Sequence, residues 1–178
     1  MAFFDNPLLL SNSQSITTTA ASSVVYDVFG VGSGNAPPMS LGSNGFPGVD
    51  IGTGDGTAIP HAYFSIITTG TGSGTITFQV QAAPVTSSGS NTVGTYVTLA
   101  ASQAFVGSTL IAGDVIDLII PPYASAAAQI GPAMNLPRFY RFNYVVSGTA
   151  TATVTAAILI SPPLSYVSTQ VGNNFTAA

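Results

Sequence analysis

The feature that most constrains the fold is the strict alternation of apolar and polar side chains between Thr75 and Ala82. Ile76, Phe78, Val80 and Ala82 fall on one side of an extended chain, and the intervening threonines and glutamines fall on the other. A period of two is typical of a strand with one face in a core and one face toward solvent. This part of the chain therefore belongs to a β-sheet that covers a core on one side.

The same alternation, interrupted by turn signals, recurs along the chain and predicts about eight strands. The other predicted strands are residues 24–29, 62–69, 96–100, 104–111, 114–120, 138–147 and 151–161. No window has a helical period. We therefore expect an all-β fold, an antiparallel sandwich of about eight strands that resembles a jelly roll and has extended N- and C-terminal arms.

Glycine-rich turns join two pairs of these strands. Residues 70–74 separate 62–69 from 75–82, so we expect these two strands to form an antiparallel hairpin. The turn at 147–149 leads from one predicted strand into the last one. It predicts a second, longer hairpin at the end of the domain.

Residues 21–161 are expected to form a single β-sandwich domain with a long glycine-rich loop at 30–60. Residues 1–20 are predicted to be an N-terminal arm and residues 162–178 a C-terminal tail. Burying the apolar side chains of these segments on a neighbour offsets part of the cost of ordering them. Their candidate interface residues are Phe3, Phe4, Leu8, Leu9, Leu164, Tyr166 and Phe175. The alternative is that both segments wrap around their own domain.

Charge is almost absent, because 178 residues include six aspartates, two arginines and no lysine, glutamate or cysteine, for a net charge of −4. Nucleic-acid binding depends on lysine and arginine that neutralise phosphates, so we exclude it. No apolar run approaches the roughly 20 residues that span a membrane, and we expect no membrane partner. A surface without charges consists of hydroxyls, amides and backbone, or is buried against other molecules, which favours a component of an assembly.

No group of residues in the chain favours catalysis, and we expect no enzymatic activity, no cofactor and no metal. His61 is the only histidine, and a general base needs convergent partners that the sequence does not supply, which favours a structural role. The segment 50–56 offers two carboxylates, Asp50 and Asp55, where calcium takes about six to eight oxygens. A glycine-rich turn is the preferred interpretation there, and an ion site is the alternative.

The only arginines, Arg138 and Arg141, lie in the predicted strand 138–147. Alternation places Arg141 with Asn143 on one face, and Arg138 at the strand start on the face of the aromatic side chains. The candidate partners are the carboxylates of the predicted strands, Asp27, Asp114 and Asp117. A surface ion pair and an inter-subunit fork to a carboxylate both remain open, and we take Arg138, Arg141 and Asn143 as candidate interface residues.

Two stretches, taken together, resemble a known family. Residues 4–22 read Phe-Asp-Asn-Pro-Leu-Leu-Leu-Ser-Asn-Ser-Gln-Ser-Ile-Thr-Thr-Thr-Ala-Ala-Ser and resemble the opening of a family of tailed-bacteriophage capsid cement (decoration) proteins. Residues 138–151 read Arg-Phe-Tyr-Arg-Phe-Asn-Tyr-Val-Val-Ser-Gly-Thr-Ala-Thr and resemble that family's Arg-Tyr-Leu-Arg-Leu-Asn-Tyr strand and the turn after it. Residues 154–159 are similar to its closing strand. The loop 30–60 and the tail 162–178 are longer than the family pattern.

The resemblance implies a jelly-roll protein without enzymatic activity. It would bind the outer surface of an icosahedral capsid and tie neighbouring major capsid subunits together after expansion. The implied partners are the major capsid protein and further copies of this chain, with a dimer as the first expectation and a trimer as the alternative. We expect it on the virion surface after synthesis in the host cytoplasm, because its first residues lack the basic region of a secretory signal.

Two other functions stay open. An extracellular β-sandwich module for carbohydrate binding or adhesion would use exposed aromatic side chains, for which Tyr123 and Tyr166 are candidates. A hydrolase ranks last, because the chain offers a single histidine and no Gly-x-Ser-x-Gly nucleophile turn.

Overall fold

The computed structural model describes residues 9–27, 40–41, 46–47, 59–86, 92–121 and 137–161. Within these ranges every strand pair is antiparallel. The strands are β1 Leu9–Ile16, β2 Ala20–Ala21, β3 Tyr26–Asp27, β4 Ser40–Leu41, β5 Phe46–Pro47, β6 Ile59–Thr71, β7 Thr75–Ala83, β8 Val97–Ala101, β9 Phe105–Val106, β10 Val115–Ile119, β11 Phe139–Ser147 and β12 Thr151–Ser161.

The strands form two main sheets. The first sheet has the order β1-β12-β6-β10, and the second has the order β2-β11-β7-β8. Strands β2 and β3 both pair with the same edge of β11, so they share one strand position. Strands β8 and β9 likewise share the position next to β7. Strands β4 and β5 pair separately. The result is two four-position sheets in jelly-roll order, and the predicted all-β, jelly-roll-like sandwich is confirmed.

Aromatic side chains from both sheets meet in the core. The ring of Phe64 on β6 lies 4.7 Å from that of Phe142 on β11 and 5.2 Å from that of Phe78 on β7, measured between centroids. Tyr144 meets Phe78 edge to face at 5.9 Å. Such pairs add about 0.5–1.5 kcal/mol each beyond the burial of their area. These contacts hold the two sheets face to face, and they confirm the inward face predicted for the strand around Phe78.

Both predicted hairpins are wrong, because the two strands of each pair lie in opposite sheets. Strand β6 belongs to the first sheet and pairs with β12, whereas β7 belongs to the second and pairs with β11. Each glycine-rich turn therefore carries the chain from one sheet to the other across the end of the sandwich. A turn of this length is compatible with either arrangement, and the crossing lets both strands bury their apolar faces in one shared core.

The two crossing turns pack directly on each other. The backbone N–H of Gly74 donates to the carbonyl of Thr149 at 2.7 Å. Gly72 has a φ of +92°, and a Cβ atom there would lie 2.1 Å from the carbonyl oxygen of Thr149. Only glycine combines this backbone conformation with so close an approach. The glycines that looked like hairpin signals are thus what allows the two turns to stack.

Several strand boundaries differ from those predicted. The prediction that residues 1–20 lie outside the strands is wrong for Leu9–Ile16, which forms β1 and pairs with β12. The predicted strand 104–111 pairs as a strand only at Phe105–Val106 and then turns through a 3-10 segment at Gly107–Thr109. The loop 30–60 contains the β4–β5 pair. The arms at 1–8 and 162–178 lie outside the described residues.

Strand β1 is tied to the second sheet through the core. The hydroxyl groups of Ser11 and Tyr144 are hydrogen-bonded at 2.7 Å, and both side chains are fully buried. Burial raises the pKa of the Tyr144 hydroxyl well above its ordinary value, and the hydrogen bond with Ser11 opposes this to a smaller extent. The folded state therefore favours the neutral form of Tyr144.

We expect Gly72→Ala to destabilise the fold far more than Gly113→Ala. Gly113 has a similar φ of +98°, but a Cβ atom there would meet nothing within 4 Å. Both variants carry backbone strain of about 1–3 kcal/mol, and only the change at Gly72 adds a clash with Thr149, worth about 1–3 kcal/mol more. Urea unfolding of the two variants measures the difference. Equal losses would show that the contact between the crossing turns contributes little.

We expect the free energy of unfolding to fall as the pH rises above about 10, the ordinary tyrosine pKa. Because the folded state holds the Tyr144 proton more tightly than the unfolded state does, its contribution is complete below that pH and is lost above it. Tyr144→Phe should make this alkaline loss shallower while costing about 1 kcal/mol at neutral pH for the hydrogen bond. Tyr63→Phe, at a half-buried site, is the control and should change the slope less.

Candidate functional site

A connected row of polar side chains covers part of the outer face of the second sheet. It comprises Gln79 and Gln81 of β7, Thr98 of β8 and Asn143 of β11, and we call these four residues the amide ladder. The strand register places Asn143 opposite Gln79, and Thr98 opposite Gln81. Because neighbouring strands lie about 5 Å apart, the side chains meet across the sheet.

Arg141 stands at one end of the amide ladder, opposite Gln81 in the register. Its Nε donates to Gln81 Oε1 at 2.9 Å. The Gln81 Nε2 group then donates to Gln79 Oε1 at 3.3 Å and to Thr98 Oγ1 at 3.2 Å. Gln79 Oε1 also accepts from Asn143 Nδ2 at 2.9 Å. A guanidinium has donors only, so Arg141 determines which way every amide in the ladder points.

The aromatic ring of Tyr96 supports the guanidinium of Arg141. The Cζ atom lies 3.7 Å from the ring centroid, which is a close cation–π contact. Burial raises the pKa of the Tyr96 hydroxyl above its ordinary value, and the positive charge of Arg141 partly opposes that shift. The guanidinium is thus held by a stacked ring and by a hydrogen bond at Nε.

Arg138 has a different role from Arg141. Its Nε and Nη2 atoms donate to Asp27 Oδ1 and Oδ2 at 2.8 and 3.0 Å, a two-point fork from the residue directly before β11 to β3. The two side chains are 8% and 1% exposed. Of the three predicted carboxylates, Asp27 is the partner. Both predicted alternatives, a surface ion pair and an inter-subunit fork, are wrong for Arg138, because the fork is buried within one chain.

The histidine and the other two aspartates of the described residues also have partners within the chain. His61 Nδ1 lies 2.8 and 3.0 Å from the two carboxylate oxygens of Asp117, and the imidazole is buried. Asp114 Oδ2 accepts from the backbone N–H of Ile111 at 2.8 Å. Among the described residues, no three histidine or acidic side chains come together in a group able to hold a metal ion. His61 joins β6 to β10, which is a structural role.

Much of the predicted interface lies in parts of the chain that the structure leaves undescribed. Leu9 is half-buried in β1, opposite Ala157, and Asn143 belongs to the amide ladder. The candidates outside the described residues are Phe3, Phe4, Leu8, Leu164, Tyr166, Phe175, Tyr123 and the segment 50–56. Their roles stay predictions.

Two further surface features were not predicted from the sequence. Exposed apolar side chains lie on the outer face of the first sheet at its β10 edge, namely Ile67, Val115 and Ile119. A cavity of about 580 Å³ opens between β10 and the β8–β9 position, with Phe105 and Leu110 among its lining residues. The long glutamines of β7, in a chain whose strand faces are mostly threonine, were the one sequence signal that marked the amide ladder.

No protein-family model and no curated protein matches this chain. None of the helices among the described residues is long and apolar enough to cross a membrane. The function therefore has to be argued from the fold and the surface described above.

The two arginines provide a matched pair of substitutions. Arg138→Gln leaves the Asp27 carboxylate buried without its fork, and we expect a loss of about 3–5 kcal/mol in the free energy of unfolding. Arg141→Gln removes a half-buried stacking contact and should cost about 1 kcal/mol or less. Urea unfolding at neutral pH measures both. A loss for Arg141→Gln as large as that for Arg138→Gln would contradict the division between a structural and a surface arginine.

Proposed function

We propose that the protein is a structural component of a bacteriophage virion. In this proposal it is a capsid cement (decoration) protein that binds the outer surface of an icosahedral capsid and stabilises the expanded lattice by bridging major capsid subunits. The observation that carries the proposal is a jelly-roll sandwich whose described ion pairs are internal and whose outer sheet face bears the uncharged amide ladder. The family resemblance of residues 4–22 and 138–151 adds to it.

The composition of the surface favours binding to another protein. Interface cores are depleted of lysine, glutamate and aspartate, because burying a charge without a partner is costly. The amide ladder is already ordered by its own hydrogen bonds, so less side-chain entropy is lost when a partner covers it. The apolar side chains at the β10 edge offer a second surface whose burial is favourable.

Stabilisation of a capsid by such a protein follows from mass action. A ligand that binds the expanded lattice but not the immature one shifts the equilibrium toward expansion, by an amount set by its concentration and dissociation constant. Copies that bridge two subunits add avidity, because the second contact forms at a high effective concentration. We propose that the bound form is a homo-oligomer, a dimer first and a trimer as the alternative, since closed symmetric assemblies are the common solution.

The two stretches that resemble the cement family include one central strand and one edge strand of the sandwich. Residues 138–151 include all of β11, an interior strand of the second sheet that carries Arg141 and Asn143 on its outer face. Residues 4–22 include β1, at the edge of the first sheet. A surface built on a central strand is held rigidly by neighbours on both sides, which suits a docking site.

The second candidate function is a carbohydrate-binding module, and one observation favours it. Tyr96 lies beside the amide ladder, and sugars are bound by aromatic rings together with amides that hydrogen-bond to hydroxyl groups. The guanidinium of Arg141 already covers one face of that ring. This reduces the surface on which a sugar would stack, so we rank the module second.

Cosedimentation with capsids and a glycan array separate the two proposals. We expect the purified protein to bind expanded capsids of its own phage saturably, to bind immature capsids at least about tenfold more weakly, and to raise the temperature at which expanded capsids dissociate. We expect no specific signal on the glycan array. The main proposal would be overturned if the protein is a stable monomer, is absent from purified virions and binds neither kind of capsid. Specific sugar binding on the array would favour the carbohydrate-binding module.

A further inference from the structure

We propose that Arg141 is a preorganised binding site for a carboxylate presented by a partner protein. The site consists of the Arg141 guanidinium, the Tyr96 ring beneath it, and Gln81 and Gln79 beside it. This inference does not rest on the proposed function, since any protein partner with a suitably placed aspartate or glutamate satisfies it. If the protein is a capsid cement protein, the site is one of its contacts with a neighbour.

The guanidinium of Arg141 has unused hydrogen-bonding capacity. Its Nε is engaged by Gln81, and neither Nη atom makes a hydrogen bond or an ion pair with any described residue. Each Nη group carries two N–H donors, and the pair forms a planar fork that matches the two oxygens of a carboxylate. The open side of Arg141 therefore has the geometry that recognises a carboxylate end-on.

The guanidinium is also held in place before any ligand arrives. Tyr96 supports it from one face at 3.7 Å, and the hydrogen bond to Gln81 prevents rotation of the plane. Gln81 is held in turn by Gln79 and Thr98. An arginine that is already ordered loses less side-chain entropy on binding than one that moves freely in solvent. Its half-buried position strengthens the attraction to a negative charge.

The surroundings of Arg141 are rich in donors. Gln79 Oε1 accepts from Asn143, Gln81 and Thr98, which turns the Gln79 Nε2 group outward with two donors that no described residue accepts. Among the ladder's amide oxygens, Asn143 Oδ1 alone accepts no hydrogen bond from a described residue, and it lies two residues along β11, about 7 Å from the Arg141 position. A ligand with acceptor oxygens and negative charge fits this patch better than a donor does.

The carboxylate has to come from outside the described part of the chain. Asp27 is held by Arg138, Asp117 by His61, and Asp114 by the backbone N–H of Ile111. The chain contains no glutamate. The other three aspartates, Asp5, Asp50 and Asp55, lie outside the described residues. We assign the ligand as an aspartate or glutamate side chain of a protein neighbour.

Selective labelling makes the site directly observable. Because the chain has only two arginines, protein labelled with ¹⁵N-arginine gives two Nε–H signals, and the spectrum of Arg141→Gln assigns them. The buried Arg138 signal is the internal reference. The probe is N-acetyl-glutamate amide, its neutral control is N-acetyl-glutamine amide, and sodium chloride keeps the ionic strength constant. Inorganic phosphate and sodium chloride are each titrated separately.

We expect the Arg141 signal to shift saturably with the glutamate probe, with half-saturation at roughly 5–100 mM, as for a charged hydrogen-bonded pair. The glutamine control should produce no saturable shift, and the Arg138 signal should stay in place. Tyr96→Leu, which removes the supporting ring, should raise the half-saturation concentration about two- to fivefold.

Three results would overturn the proposal. Equal responses to the glutamate probe and to its glutamine control would show that charge plays no part. Equal responses to the probe and to chloride would show an adventitious ion only. Half-saturation by phosphate at a concentration at least tenfold lower than by the glutamate probe would show that the ligand class is wrong. Each of these leaves the capsid-binding experiment unaffected, because that experiment uses the whole protein and the particle.

Discussion

The packing of aromatic side chains between the two sheets is the contact on which the rest of the structure depends. Phe64 on the first sheet meets Phe78 and Phe142 on the second, so both sheets must form before either has a core to cover. Consecutive strands lie in opposite sheets at both glycine-rich crossings, and the first described strand pairs with the last. Pairing is therefore mostly between residues distant in sequence, the pattern that slows folding because long loops must close first.

Charge is used sparingly and for distinct purposes within this scaffold. Arg138, directly before β11, and Asp27 of β3 are buried together, while His61 and Asp117 connect β6 to β10. Each of these pairs joins elements that the chain does not join locally. Arg141 is the exception, because its charge orders the neutral amides around it instead of meeting a carboxylate. One cation therefore fixes which way the hydrogen-bond donors of the neighbouring amides point.

The sequence predicted the strands better than their pairing. Alternation located β7, β10 and β12 closely, because each has one fully apolar face. It missed β1, where Ser13 has a φ of +48° and the register with β12 shifts twice, so that the polar residues do not alternate. Glycine turns looked alike whether they close a hairpin or cross between sheets. Arg141 and Asn143 were predicted as candidate interface residues on one strand face, but the amide ladder follows from the register of three strands, which periodicity does not reveal.

The positions of the two arginines, Arg138 directly before β11 and Arg141 within it, have a consequence for proteolysis. Trypsin cuts after lysine or arginine, and this chain offers it only the bonds after Arg138 and Arg141. Both bonds lie at or in a strand that has neighbours on each side, and a protease needs several residues of extended, detached chain. Cleavage therefore requires that the second sheet come apart, and its rate follows the population of opened molecules. For this protein, trypsin acts as a probe of the integrity of the whole sandwich, with little contribution from surface loops.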